Sequence, residues 1–292
     1  LFIDDEDLID NWSSQEPGDA FFGMGSKAKR EKKILESGKE YSFQVEYKWE
    51  GRFPAVQIGM LAPDDHDLME AAVNLAKESD ATILLVGTNS DWETEGNDRD
   101  SLLLPLRQNE LIEKVCKVNK NTVVVLNTGS PCEMPWNDEA NAILQCWFPG
   151  QEFGNSLADI IFGKVNPSGK LPTTFPIKLE DTPAYNTYPG KDLQMDYEEG
   201  LYIGYRWYEK ENITPLYPFG HGLSYTSFTY SNTRAIPPKG TSSVAAFELE
   251  ITNIGEIEGK EVVQCYAAIQ NSKIDRPLKE LKKFQKVNLA PG

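Results

Sequence analysis

The sequence predicts a multidomain α/β-plus-β protein: an α/β sandwich with a mostly parallel sheet, flanked by an N-terminal β-sandwich remnant and a C-terminal β-sandwich. Three observations predict it. Between residues 63 and 222, helix-period apolar segments alternate with short, wholly apolar runs. On either side of that stretch, apolar and polar residues alternate one by one, as in half-buried strands. The chain has 292 residues, more than one average domain needs. The expected division is 1–62, 63–222 and 223–292.

Taken in order, residues 1–62 read as β structure. In "KEYSFQVEYKWEG", Tyr41, Phe43, Val45 and Tyr47 share one face, the period-two signature of a strand. "ESGK" supplies the turn before it, and "AVQIGML" reads as a second strand. The basic run "GSKAKREKK" reads as a solvated loop or strand edge.

The pattern changes near Pro63. "DLMEAAVNLAKES" places Leu68, Ala72, Leu75 and Ala76 at helical spacing. "ATILLVG" is continuously apolar, as expected of a strand buried on both faces. "NELIEKVCKVN" repeats the helical pattern through Leu111, Ile112, Val115, Cys116 and Val118. "NTVVVLNTG" and "NAILQCWF" are two further buried strands. In "QEFGNSLADIIFG", Phe153, Leu157, Ile160 and Ile161 form the inward face of a helix that Gly163 stops.

A loop-rich region dense in Pro, Gly and Tyr leads to "PFGHGLSYTSF". Beyond it, "AAFELEITNIG" alternates Phe247, Leu249 and Ile251, and "EVVQCYAAIQ" alternates Val263, Cys265, Ala267 and Ile269. These read as antiparallel strands of a sandwich, with "PPKGTSS" as a connecting loop. The sandwich is short of strands, so it is expected to be incomplete.

Composition narrows the function classes. A net charge of −16 disfavours nucleic acid and anionic membranes, because their phosphates repel such a surface. No apolar run approaches the ~18 residues of a membrane-spanning helix. The four cysteines form no C-x-x-C pair, and with two histidines there is no zinc pattern. Cys116, Cys146 and Cys265 fall on apolar faces of predicted elements, so free, buried thiols are expected. "NWS" at Asn11 and "NIT" at Asn212 are glycosylation acceptors if the chain is secreted; secreted and cytoplasmic locations both stay open. Both ends read as cut. "LFIDDED" has neither methionine nor signal peptide, and "KVNLAPG" stops where a strand gives way to a turn, as in a fragment of a longer protein.

The densest chemistry lies in "GTNSDWETEGNDRDS", directly after the first buried strand. In open α/β sheets, ligands bind beyond the carboxyl ends of strands. Asp91, Glu93, Glu95, Asp98 and Asp100 are the candidates. Crowded carboxylates repel one another, which favours one of them holding its proton near neutral pH. A protonated carboxyl is what general-acid cleavage of a glycosidic bond requires. A solvated acidic loop, with Arg99 pairing locally, is the plain alternative. The spacing does not match a calcium-hand loop, so no metal site is expected.

"E-G-x-D-R" after "LLVG", followed by "LLLP", resembles the acid/base loop of glycoside hydrolase family 3. "VVVLNTGSPCEMPW", "FPGQEFGNSLADIIFGKVNPSGKLPTTFP", "DYEEGLYIGYRWYE" and "PLYPFGHGLSYTSF" resemble the rest of that family's α/β-sandwich domain. "EVVQCYAAI" and "RPLKELKKFQKVNLAPG" resemble its fibronectin type III-like, immunoglobulin-like tail. Residues 1–62 more loosely resemble the last strands of a lectin-like insert of the protective-antigen type.

The resemblance implies a retaining β-glycosidase that uses two carboxylates. Glu95 aligns with the acid/base, and Glu93, two positions away, is the runner-up. Asp98 and Arg99 are expected to brace the loop, and Trp92 to stack on sugar or to pack. Glu198, Glu199, Tyr202 and His221 read as scaffold. The aspartate nucleophile would lie on an N-terminal (β/α)₈ barrel absent from these residues, so this chain alone is expected to be inactive.

The implied substrates are β-linked glucosides or oligosaccharides with terminal β-D-glucosyl residues, with no cofactor. The barrel of the same protein is the implied partner. A β-xylosidase of the same family and a non-catalytic carbohydrate-binding module remain alternatives. A flavodoxin-like nucleotide binder fails, because five acids at a strand end repel phosphate and no glycine-rich phosphate loop is present. Oligomeric state is not legible, so a homo-oligomer stays open.

Overall fold

The structure, a computed structural model, describes all residues except 14, 19–24, 49–55, 62–66, 97 and 238–244. The chain forms two compact units. One is made of Leu1–Asp100, Pro105–Val125 and Glu139–Ile143, the other of Ser101–Leu104, Leu126–Asp138 and Leu144–Gly292.

The first unit opens with three two-residue strands: β1 (Phe2–Ile3), β2 (Glu6–Asp7) and β3 (Phe43–Gln44), in the order β2-β1-β3. Both pairings are antiparallel. The β1–β2 turn uses Asp4 and Asp5 at φ 49° and 63°, the left-handed pair that a tight two-residue hairpin demands and that Asp tolerates. Ile3 is buried here.

Helix α1 (Leu68–Glu78) starts at Asp67, whose carboxylate accepts from the amides of Met69 and Glu70. This satisfies two of the amides a helix N-terminus leaves without partners. Strand β4 (Thr82–Gly87), helix α2 (Gln108–Val118) and strand β5 (Thr122–Asn127) follow. α1 packs against α2. Asn119, 8% exposed, closes this turn of the chain: its Nδ2 donates to the carbonyls of Ala76 and Ser79 at 2.9 and 2.8 Å. Its Oδ1 accepts from the Asn121 amide and its carbonyl from the Thr122 hydroxyl.

Strand β6 (Ala142–Gln145) completes a sheet of order β4-β5-β6. Thr82, the first residue of β4, donates to Asn121, just before β5, and Cys146, just past β6, donates to Leu126 near the end of β5. Starts meet starts and ends meet ends, so the strands are parallel, as the alternation of helix and strand predicts.

The second unit has a core of its own. Leu126, Cys132, Met134, Trp136 and Phe175 are buried, Trp136 completely. Helix α3 (Phe153–Ile161) turns its apolar face partly inward and ends before Gly163 at φ 72°. A short helix α4 (Tyr205–Lys210) precedes two antiparallel strand pairs, β7 (Phe228–Ile236) with β8 (Ala246–Asn253) and β9 (Gly259–Ala267) with β10 (Glu280–Leu289).

Several expectations are corrected. The alternating run at 41–47 yields only Phe43–Gln44 as strand, with Phe43, Val45 and Tyr47 exposed, because β1 offers two residues of backbone to pair with. The described part of "AVQIGML", residues 56–61, is not strand, and Val56, Ile58, Met60 and Leu61 are exposed. In α1, Leu68 and Leu75 are exposed while Ala76 is buried. β4 is covered on one face only: Val86 is buried, whereas Ile83 and Leu85 are exposed. By contrast β5, the central strand, is enclosed on both sides, with Val124, Val125 and Leu126 at 0% exposure.

In β9 most of the expected inner face is the outer one, with Val263 half-buried. Cys265, Ala267 and Ile269 are exposed, while Val262, Gln264 and Tyr266 line a cavity of about 420 Å³ with Tyr205, Phe219 and Tyr230. The Tyr266 ring has more apolar surface to remove from water than Cys265 or Ala267, which favours this orientation. The four cysteines form no disulfide, but Cys265 is exposed. The expected "PPKGTSS" loop lies, apart from Pro237, outside the described residues.

Candidate active site

β4 delivers the chain to the candidate site and α2 takes it away. At the junction, the Gln108 side chain grips Gly87 twice: Oε1 accepts from the Gly87 amide at 2.7 Å, and Nε2 donates to its carbonyl at 2.8 Å. A backbone unit at a strand end is thereby satisfied by a side chain from the first turn of the next helix. Arg107 and Glu110 form a two-pronged ion pair beside it, at 2.7 and 2.8 Å. These two bonds hold Glu110 down at about 2, with Lys114 assisting.

Asn89 then folds the chain back. Its Oδ1 accepts from the Asp91 amide at 3.1 Å, and its carbonyl accepts from the amides of Trp92 and Glu93 at 3.0 and 2.9 Å. This is the local turn that Asn side chains favour. Glu93 follows, half-buried, and its Oε1 lies 3.4 Å from Arg99 Nη1. Between them the loop rises through Glu95 to Gly96, whose φ of 83° suits a residue without Cβ.

The five candidate acids are therefore not equivalent. Asp91, Glu95, Asp98 and Asp100 are exposed; Glu93 is tied to Arg99. Among the described residues, the Glu95 carboxylate makes no hydrogen bond or ion pair and points its charge to solvent. Asp98 neighbours Arg99 in sequence, and the Arg99 guanidinium reaches Glu93 at 3.4 Å. Trp92 is half-buried, and its indole N–H is buried without an acceptor among the described residues. No group of three or more His, Cys, Asp or Glu suited to a metal ion occurs among the described residues, and none of their helices is long and apolar enough to cross a membrane.

Of the residues read as scaffold, Tyr202 and His221 sit in packed surroundings. Tyr202 is buried and donates to the Asp275 carboxylate, which pushes its own phenol up. His221 stacks on Tyr217 with ring centres 5.0 Å apart. Burial, with Lys170 nearby, pushes its imidazole down. Glu198 is exposed and Glu199 half-buried.

Sequence reading missed two features. The Gln108–Gly87 grip spans 21 positions and has no local signature. Asn89 was legible in principle, since "TNSD" carries an Asx-turn composition.

A parallel α/β layer with an acidic loop beyond a strand end, joined in sequence to antiparallel β pairs, defines a multidomain α/β-plus-β protein. Residues 18–225 match the model of the glycosyl hydrolase family 3 C-terminal domain, and residues 261–292 that of a fibronectin type III-like domain. The chain belongs to glycosyl hydrolase family 3.

A β-glucosidase of Rhizobium radiobacter is 41% identical over 302 residues, which cover 100% of this chain and 37% of that protein. The crystal structure of the selenomethionine-labelled β-glucosidase of Kluyveromyces marxianus covers 100% of this chain and 35% of its own, at 38% identity and a TM-score of 0.86. The glucose complex of the Kluyveromyces marxianus β-glucosidase covers 80% of this chain and 28% of its own, at 43% identity and a TM-score of 0.74. This chain thus spans little more than a third of the curated relatives it matches.

Proposed function

We propose that these residues are the acid/base half of a retaining, exo-acting β-glucosidase that removes terminal β-D-glucosyl residues. One observation carries the assignment within the loop: Glu95 stands exposed at the crest while Glu93 is engaged by Arg99 at the base. A proton donor must reach the substrate, and of the two glutamates only Glu95 is free to do so. Similarity to β-glucosidases supports the substrate class.

In the first step the Glu95 carboxylic acid protonates the glycosidic oxygen as the C–O bond breaks. An aspartate carboxylate on the barrel attacks the anomeric carbon and forms a glycosyl-enzyme. In the second step water attacks that carbon, its proton passes to the Glu95 carboxylate, and the aspartate is released. Trp92 flanks the crest and supplies an apolar wall on the leaving-group side. Residues 1–62 form the end of an insert, and residues 223–292 the fibronectin type III-like region.

The test is leaving-group dependence in the full-length enzyme. Glu95→Gln should lower kcat/KM by about 10²–10⁴-fold for an alkyl or sugar leaving group. It should have little effect with a dinitrophenyl glucoside, which departs without a proton. Equal losses on both substrates would remove the role from Glu95.

A further inference from the structure

We propose that Glu93 and Arg99 form a positioning clamp that fixes where the Glu95 carboxyl is presented. The proposal rests on the assignment of Glu95 as acid/base and gives its neighbour a distinct role: Glu93 is not a spare proton donor but part of the mount.

The geometry is that of a short loop closed at its base. Glu93 Oε1 and Arg99 Nη1 are 3.4 Å apart, with side chains only 14% and 17% exposed. Glu95 lies between them in sequence, and Gly96 turns the chain immediately afterwards at φ 83°. The Glu93 end is held a second time, by its amide on the Asn89 carbonyl at 2.9 Å. That turn follows directly on Gly87, which the Gln108 side chain grips at both its amide and its carbonyl. Side-chain and backbone bonds therefore link the base of the loop to the end of β4 and the start of α2. The crest is different. Among the described residues the Glu95 carboxylate has no partner, so its backbone alone sets its position.

Burial makes the pair matter. An exposed ion pair is largely screened and contributes little, but a pair withdrawn from water interacts more strongly. Removing the Glu93 carboxylate takes from the Arg99 guanidinium the partner it reaches at 3.4 Å. The loop would then open or rearrange. General-acid catalysis needs the donor within hydrogen-bond reach of the leaving oxygen, and a displacement of about 1 Å can cost about 10²-fold. A loosened clamp should thus impair proton delivery while leaving recognition of the glucosyl unit intact. The kinetic signature should copy that of losing Glu95, in weaker form.

The experiment uses the full-length enzyme and the variants Glu93→Gln, Arg99→Met, Arg99→Lys, the Glu93→Gln/Arg99→Met double variant and Glu95→Gln. kcat/KM is measured with cellobiose and with 2,4-dinitrophenyl β-glucoside, and thermal unfolding is followed for each protein.

Glu93→Gln and Arg99→Met should each lose about ten- to a hundredfold on cellobiose and change little on the dinitrophenyl substrate. Arg99→Lys should recover part of the loss. The double variant should be no worse than the poorer single, because the two residues act as one unit. If folded Glu93→Gln and Arg99→Met lose activity equally on both substrates, or lose none, while Glu95→Gln stays selective, the clamp is overturned and the acid/base assignment stands. If Glu95→Gln shows no selectivity, that assignment falls and takes the clamp with it. Should Arg99→Met fail to fold, Glu93→Gln and Arg99→Lys decide the matter in the same assay.

Discussion

The strands of the parallel sheet and those of the C-terminal pairs carry similar apolar residues but bury different things. In β5, Val124, Val125 and Leu126 are fully enclosed. Beyond residue 226, no Val, Ile, Leu or Phe is buried among the described residues; Phe247, Ile254 and Phe284 are 58%, 60% and 66% exposed. Besides Pro277, the side chain withdrawn from water there is polar: Asn253, 1% exposed, ends β8. Its Oδ1 accepts from the Thr226 hydroxyl at 2.6 Å and the Gly255 amide at 3.1 Å. Its Nδ2 donates to the carbonyls of Ile257 and Leu289 at 2.8 and 3.0 Å. One region encloses its apolar side chains fully; the other adds to half-buried apolar residues a fully satisfied polar pin joining strand ends. Alternation in a sequence therefore specifies a strand without specifying what covers it.

The sharpest way to break this contrast is in the apolar core. Trp136→Ala should destabilise by about 3–5 kcal/mol, seen as a large drop in the denaturation midpoint. A loss under about 1 kcal/mol would show that this core is not the dominant support. Next comes the polar pin. Asn253→Ala leaves a hydroxyl, an amide and two carbonyls without their partner, which should cost about 3 kcal/mol. Hydrogen exchange should speed up first at the ends of β8 and β10. If exchange rises equally in β5, the two regions do not unfold separately. The smallest effect is expected at Phe284→Ser: an exposed side chain should shift stability by no more than about 0.5 kcal/mol in this chain. A larger loss would reveal apolar cover on β10.

Much of the α/β layer was legible because its signals are local. The Asp67 cap, the helical spacing of Ile112, Val115 and Cys116, and the Gly163 stop each act within a few residues. The acidic loop could be located for the same reason: it follows a strand. β4 was misread because a continuously apolar run does not say whether both faces are covered, and β9 because the same alternation fits either side of a sheet. Within the loop, the "E-G-x-D-R" resemblance singled out Glu95 and spacing alone could not. Which carboxylate Arg99 would meet was not legible from spacing. In the fold, Arg99 reaches back to Glu93.

By itself the sequence determined the class of fold, the order of helices and strands, and the place where carboxylates gather, because period, capping and turn chemistry are properties of neighbouring residues. Tertiary structure alone decided which glutamate is held and which stands free, and which strand faces are dry. Those outcomes depend on contacts such as Gly87 with Gln108 and Glu93 with Arg99. Such pairs are brought together only when the chain has closed its loops and excluded water around them.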